Sequence, residues 1–281
     1  MLAYDKSSDT GAAIGHAFDQ AIRLEPLAGG CFRGHTSDDY WNFVGPYGGI
    51  LAAVVLNAVL IRPDRIGDPL SLTVNYAAPV RAGEFEVEAK LLRASRTTQH
   101  WAVNIVQGGQ REVAVSALAV CAIRRSTWSL TETDRPAAPG FDTLARATPR
   151  LGIKWPRMYD MRFVRGHPAQ ANTDSLSQCW ISDIPPRPLD FTGLASICDA
   201  FFPRIFLHQR MQVVIATVSM NIYFHVDAAT LARQGTQPVL AEAQGQVFNA
   251  GFFDHEGKVW GADNALLATT QQIMWFKEQV A

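Results

Sequence analysis

The sequence predicts an α+β protein built as two tandem units, each pairing one central helix with an antiparallel sheet. Three observations carry this. Gly48 to Ile61 and Phe191 to Phe206 are helix-length apolar runs, the first apolar on every side, so both read as buried helices. After each run the pattern changes to period-two alternation, as in Leu70-Ser-Leu-Thr-Val-Asn-Tyr76, which marks strands with one buried face. The helix-then-strands order also occurs twice within 281 residues, which argues for an internal duplication.

Residues 1–22 form a weakly polar lead-in with a short helical piece, and Leu27–Arg33 turns into a strand. Gly45-Pro-Tyr-Gly-Gly49 is a breaker cluster opening the first buried helix, which Arg62-Pro63 ends. Strands follow at Leu70–Tyr76, Glu84–Leu92, Thr97–Val106 and Glu112–Ile123, the last two joined by a hairpin at Gln107–Gln110. Residues 126–150 gather Pro136, Pro139, Gly140 and several charges, the composition of a linker. The expected division is therefore 1–125, a linker at 126–150, and 151–281.

In the second unit Met158–Val164 and Ser175–Ile181 read as strands, and Asp183–Pro188 breaks the chain before helix 191–206. Strands are expected at 213–225 and 239–249, a hairpin turn at Asp254–Gly257, and final strands at Lys258–Trp260 and Ala265–Phe276. Matching Tyr76 with Tyr223 as repeat markers aligns Asp199 of the second helix with Ala52 of the first. Only one unit thus places an acid on its helix. Unpaired sheet edges promote aggregation, so the two sheets are expected to join edge to edge.

Composition excludes several function classes. An apolar fraction of 48% with 18% charged residues describes a globular chain with a filled core. A net charge of −1 offers no field for nucleic acid or an anionic membrane. The longest apolar run is too short to span a bilayer, and the N-terminus lacks the order of a signal peptide. Cys31, Cys121, Cys179 and Cys198 show no zinc or disulfide spacing, and the seven histidines show no metal pattern. A cytoplasmic enzyme or binding protein without metal or cofactor is the expectation.

The stretch Phe191–His225 carries the strongest functional signal. An acid within an apolar helix is costly to bury unless it is hydrogen-bonded or chemically useful, which singles out Asp199. The bland alternative is a helix acid that caps a neighbouring loop or pairs with Arg204. Gly48-Gly49 reads either as a close-packing turn or as a helix N-terminus whose free amides polarise a carbonyl. His225, ending a strand near Asp227, reads as a structural or rim residue. No G-x-S-x-G elbow is present, which disfavours a serine-nucleophile hydrolase.

Asp199, the strand Ala216-Thr-Val-Ser-Met220 ending in Phe224-His225, and the closing Ala268-Thr-Thr-Gln-Gln272 together resemble the type II acyl-CoA thioesterases. Their fold is a double hotdog, a buried helix wrapped by a curved antiparallel sheet, twice in one chain. The resemblance implies Asp199, Thr217 and Gln272 as catalytic residues that activate water on a thioester. It implies acyl-CoA as substrate, no cofactor and a homo-oligomer. Gly48, Gly49 and Ser219 are the expected substrate-binding residues, and among Arg93, Arg96, Arg124 and Arg125 one group could meet a coenzyme A phosphate while the rest are solvated.

The departures are specific. The family's Asp-His pair after the threonine is missing. Ser219 stands two residues beyond Thr217, so on a strand both hydroxyls are expected on one face. Gln271 adjoins Gln272, which leaves the glutamine open by one residue, and Ile50 stands where the family has Gln after Gly-Gly. Two other readings of the same fold are a non-catalytic acyl-CoA binding protein and an acyl-CoA hydratase. The hydratase would want an Asp and His pair that the chain does not offer.

Overall fold

The computed structural model describes residues 15–149, 152–170, 172–208 and 213–278. Residues 1–14 of the expected lead-in lie outside the described residues. The first half contains α1 (Ala17–Ala21), β1 (Glu25–Pro26), β2 (Cys31–His35), α2 (Gly48–Leu60), β3 (Asp68–Tyr76), β4 (Glu84–Ala94), β5 (Thr98–Gln107) and β6 (Glu112–Ala122). The second contains β7 (Tyr159–Arg165), β8 (Ser177–Asp183), α3 (Phe191–Ile197), α4 (Ile205–His208), β9 (Val213–Phe224), α5 (Ala228–Gln234), β10 (Val239–Gln244), β11 (Phe248–Asn249), β12 (Phe252–Trp260) and β13 (Leu266–Glu278).

All thirteen strands of the described residues form one antiparallel sheet in the order β1-β2-β4-β5-β6-β3-β9-β13-β12-β10-β8-β7, with β11 paired to β12. The expected edge-to-edge joining is therefore observed, at the β3–β9 seam. There Thr73 lies opposite Asn221 and donates its hydroxyl to Asn221 Oδ1 at 2.7 Å. Each strand covers the edge that the other would leave exposed.

Helix α2 buries ten of its thirteen residues. It packs on β3 to β6 and on α3. Ile50, Leu51, Val54, Val55, Leu56 and Val59 each contribute on the order of 2 kcal/mol by leaving water. Its one polar side chain past the first turn, Asn57, donates to the Ile22 carbonyl at 2.8 Å and so ties the lead-in to the helix. A single apolar cluster runs through both halves, from Phe18 to Ala268, so the two units share one core.

Four expectations need correction. The helix over 191–206 stops at Ile197, turns through Cys198 and Asp199, and resumes only as α4. Pro203 denies the intervening stretch a continuous helical ladder. The strand expected over 239–249 is interrupted into β10 and β11, and Asp254–Gly257 is interior to β12. The hairpin turn lies earlier, where Ala250 (φ 50°) and Gly251 (φ 79°) take the left-handed conformation a tight turn needs. Helix α5 went unrecognised, although Asp227 caps it by accepting from the Thr230 amide at 2.8 Å.

The two tyrosines matched as repeat markers also lie on different faces: Tyr76 shares the inner face with buried Leu72 and Val74 and donates to Gly48, while Tyr223 is half exposed on the outer face. A one-residue slip exchanges faces, which is why matching two tyrosines by sequence misled. Within the stretch expected as a linker, Ala138, Phe141 and Leu144 pack on Trp180, Leu240 and Trp260. The Trp180 indole donates to the Pro139 carbonyl at 2.9 Å.

Candidate active site

The site forms where the start of α2 meets the end of α3. Tyr47 precedes α2, and its hydroxyl donates to the Ser196 carbonyl at 2.7 Å. Its ring stacks on Trp155 with centroids 4.1 Å apart. From β3, the Tyr76 hydroxyl donates to the Gly48 carbonyl at 2.9 Å. Tyr47 thereby fixes one helix start against the other half's helix end, while Tyr76 braces that start from its own half.

Both glycines are required by close approach. A Cβ on Gly48 would stand 2.7 Å from Asp199 Oδ2 and 3.3 Å from the Tyr76 hydroxyl oxygen. A Cβ on Gly49 would stand 2.5 Å from the Ser196 carbonyl oxygen. Neither glycine has a positive φ, so space is the constraint. The close packing expected of Gly48-Gly49 is what sets the start of α2 against the acid.

Asp199 sits in the turn closing α3, its amide donating back to the Ser196 carbonyl at 3.1 Å. Its side chain is buried, and Oδ1 accepts from Gln272 Nε2 at 2.9 Å. Burial pushes its carboxyl up to about 7, while the Gln272 hydrogen bond and the Gly49 backbone amide pull the other way. A carboxyl poised near neutrality serves as a general base, since it is free to take a proton and able to return it. The alternative of a pairing with Arg204 is not what the structure has. Arg204 is fully buried elsewhere, donating to the Phe202 carbonyl at 2.6 Å and to Ser177 Oγ at 2.5 Å.

The strand residues divide by face. Gln272 is buried opposite Met220, whereas Gln271 is exposed on the outer face, so Gln272 is the glutamine that meets Asp199. The register slips beside Val218: Ile273 pairs with Ser219, and Met274 pairs with Thr217. This bulge puts Thr217 on the inner face, beside buried Met274 and two pairs along from Gln272. Ser219 faces outward between Ile273 and Asn75, which corrects the expectation that both hydroxyls share a face. Among the described residues Thr217 makes no hydrogen bond to Asp199 or Gln272.

His225 lies just beyond β9, with Nε2 3.0 Å from the Thr269 hydroxyl. Arg124, expected to be solvated, donates to the Phe224 carbonyl at 2.6 Å and so braces the seam. Tyr47 and Tyr76 were the residues the sequence reading missed as site members. The available signal was Tyr47 inside the breaker cluster directly before the paired glycines. Among the described residues no cluster of His, Cys, Asp or Glu could hold a metal ion. No helix there is long and apolar enough to cross a membrane.

A buried helix backed by an antiparallel sheet, repeated and fused at one seam, with an acid at the junction, defines a double hotdog protein. Residues 37–122 match the acyl-CoA thioesterase N-terminal domain, and residues 132–276 match the acyl-CoA thioesterase C-terminal domain. The chain belongs to this acyl-CoA thioesterase family and is a thioester hydrolase. A conserved protein of unknown function with a hotdog fold from Alicyclobacillus acidocaldarius is 41% identical, covering 95% of this chain and 100% of its own, with TM-score 0.91. A putative thioesterase II from Thermobifida fusca is 18% identical over 93% of this chain and 97% of its own, with TM-score 0.81. An acyl-CoA thioesterase II from Mycobacterium marinum shares the fold at 18% identity, covering 93% and 98%, with TM-score 0.73. No curated protein matches the chain by sequence.

Proposed function

We propose that the chain hydrolyses acyl-CoA to free acid and coenzyme A at one site, with Asp199 as general base. The buried Asp199–Gln272 hydrogen bond at 2.9 Å, facing the start of α2, supports this reading. Asp199 removes a proton from water, and the water oxygen attacks the thioester carbonyl. Gln272 orients Asp199, and Thr217, on the same inner face, holds the water from its other side. The Gly49 amide is turned to Asp199, so it is the Gly48 amide at the same helix start that meets the oxyanion, a contact of a kind worth about 3 kcal/mol elsewhere. As the intermediate collapses, the C–S bond breaks and the proton on Asp199 passes to the departing thiolate.

The first half supplies no base, since Ala52 and its neighbours are apolar. It contributes the helix start, with Ile50, Leu51, Val54 and Val55 backing the acyl pocket. Ser219 has no role in this site, because it faces outward. We read 1–125 and 151–281 as the two units, with 126–150 connecting them. Exposed Leu118, Tyr223 and Ile273 on the outer sheet face support a homo-oligomer, and four free cysteines support the cytoplasm as location. A thiol-release assay across acyl-CoAs of graded chain length tests the activity. If no acyl-CoA yields thiol, a binding-only role replaces it.

A further inference from the structure

The inner face of β12 and β13 holds three buried polar side chains the mechanism above does not exhaust. His255 is 1% exposed and lies directly opposite Gln272, which is 4% exposed. Thr270, 1% exposed, is the next inward residue on β13, opposite Gly257. Opposed residues on one sheet face have Cβ atoms about 5 Å apart and diagonal ones roughly 7 Å apart, so these three side chains border one small volume. Phe201, two residues beyond Asp199, closes it. Its ring lies edge-on to His255 with centroids 5.7 Å apart, and a Cβ on Gly257 would stand 2.8 Å from it.

Every free valence of this group is unpaired. Both ring nitrogens of His255, the Thr270 hydroxyl and Gln272 Oε1 have no hydrogen-bond partner. Buried polar atoms are almost always satisfied, and an unpaired one costs roughly 1–3 kcal/mol. Four such atoms around one volume meet the requirement of a buried water, which needs two to four polar partners. The donors of Gln272 are already committed. Nε2 donates to Asp199 Oδ1 at 2.9 Å and lies 3.3 Å from the Cys198 carbonyl oxygen, which leaves Oε1 as the atom to be held.

We propose that His255 is a positioning residue for this thioesterase site: with Thr270 it holds a buried water against Gln272 Oε1, keeping the glutamine NH2 turned toward Asp199. The inference rests on Asp199 being the base. An amide turned the other way would set its carbonyl against the carboxylate and disfavour the ionised form. His255 is suited to the task because it stays neutral. Burial, then the nearby Arg204 charge, holds its pKa well below the usual histidine range, so one nitrogen donates and the other accepts. The titratable groups facing Asp199 are Tyr47, Tyr76, Tyr159 and Cys198, and burial raises the pKa of each. None of them ionises near neutrality, so a shift in the activity profile reports on Asp199.

The test compares kcat/KM against pH for wild type, His255→Phe, His255→Gln and Asp199→Asn, using thiol release from an acyl-CoA. His255→Phe keeps a ring against Phe201 but removes both nitrogens. Its alkaline-rising limb should move up by about half a pH unit, roughly a threefold loss of the base form at low pH, with KM unchanged. His255→Gln, which keeps a donor and an acceptor, should restore the wild-type midpoint. A coincident His255→Phe profile, or a loss equal at every pH that His255→Gln does not relieve, overturns the positioning role. Asp199→Asn separates the two claims, because full activity there sinks the base reading itself. Independently of turnover, a high-resolution crystal structure of the wild type should show a water bonded to Gln272 Oε1, Thr270 Oγ1 and one His255 nitrogen. Clear density without that water overturns the inference.

Discussion

The Tyr47 hydroxyl donates to the Ser196 carbonyl at 2.7 Å, across 149 residues of sequence. It ties the start of α2 to the last turn of α3, three residues before Asp199. The spacing that brings Asp199 Oδ2 against Gly48 depends on that tie. Tyr47→Phe should keep the stack on Trp155 yet remove one of two hydrogen bonds to the Ser196 carbonyl, which keeps only the Asp199 amide, at a cost of about 1 kcal/mol. Chemical denaturation should show the loss, and kcat should fall with it because the helix start drifts from the acid.

Gly48→Ala is expected to injure the site more than the fold. The added methyl would collide with Asp199 Oδ2 at 2.7 Å, and the carboxylate must turn away from Gln272. A kcat loss of about tenfold or more with a near-native melting temperature is the expected result. Unchanged turnover in that variant would show that the Asp199 rotamer does not matter.

Asp199→Asn removes the base at constant size, so kcat should fall by about a hundredfold or more. Its stability should rise. The folded carboxyl titrates at about 7 against an ordinary 3.8, so the folded state holds a proton that the unfolded state has already released. Stability of the wild type therefore falls as pH rises between those values, and the cost is complete above the folded pKa, on the order of 4 kcal/mol. Urea unfolding should find the variant more stable than wild type near about pH 8 and little different near about pH 4. Equal stability at both pH values would contradict a raised carboxyl.

The wild-type pH profile should follow the same group. Turnover should rise with pH through about 7, as Asp199 becomes the carboxylate that accepts a proton. Gln272→Leu removes a hydrogen bond that holds this pKa down, so the rise should shift to higher pH and maximal kcat should drop. A rise centred near the ordinary carboxyl range would show that Asp199 is solvated during turnover.

Ala52→Asp is expected to create no second activity. Ala52 is fully buried within α2, and its neighbours Leu51, Ala53, Val55 and Leu56 are buried and apolar, with no partner to offer the new acid. An unpaired buried charge should instead lower the melting temperature sharply. A gain in thiol release from this variant would argue for a latent second site.

Much of this architecture is determined by the sequence alone, because hydrophobic period is a local property. The all-round apolar run of α2 and the alternation of β3 to β6 specify a buried helix and one-faced strands wherever they pack. Asp199 was legible for the same reason, as the lone acid in an apolar segment, and Gly48-Gly49 stood out as a breaker before a helix. Only the tertiary structure decided which faces meet. The slip beside Val218 sends Ser219 outward and Thr217 inward, and a bulge leaves no mark in the residue pattern. The choice of Gln272 over Gln271 follows from strand register, set by pairing with β9 and β12. The approach of Tyr47 and Tyr76 to the acid, and the unpaired His255 opposite Gln272, depend on contacts between segments far apart in the chain. No local pattern records such contacts, because they arise only when one half's helix start is packed against the other half's helix end.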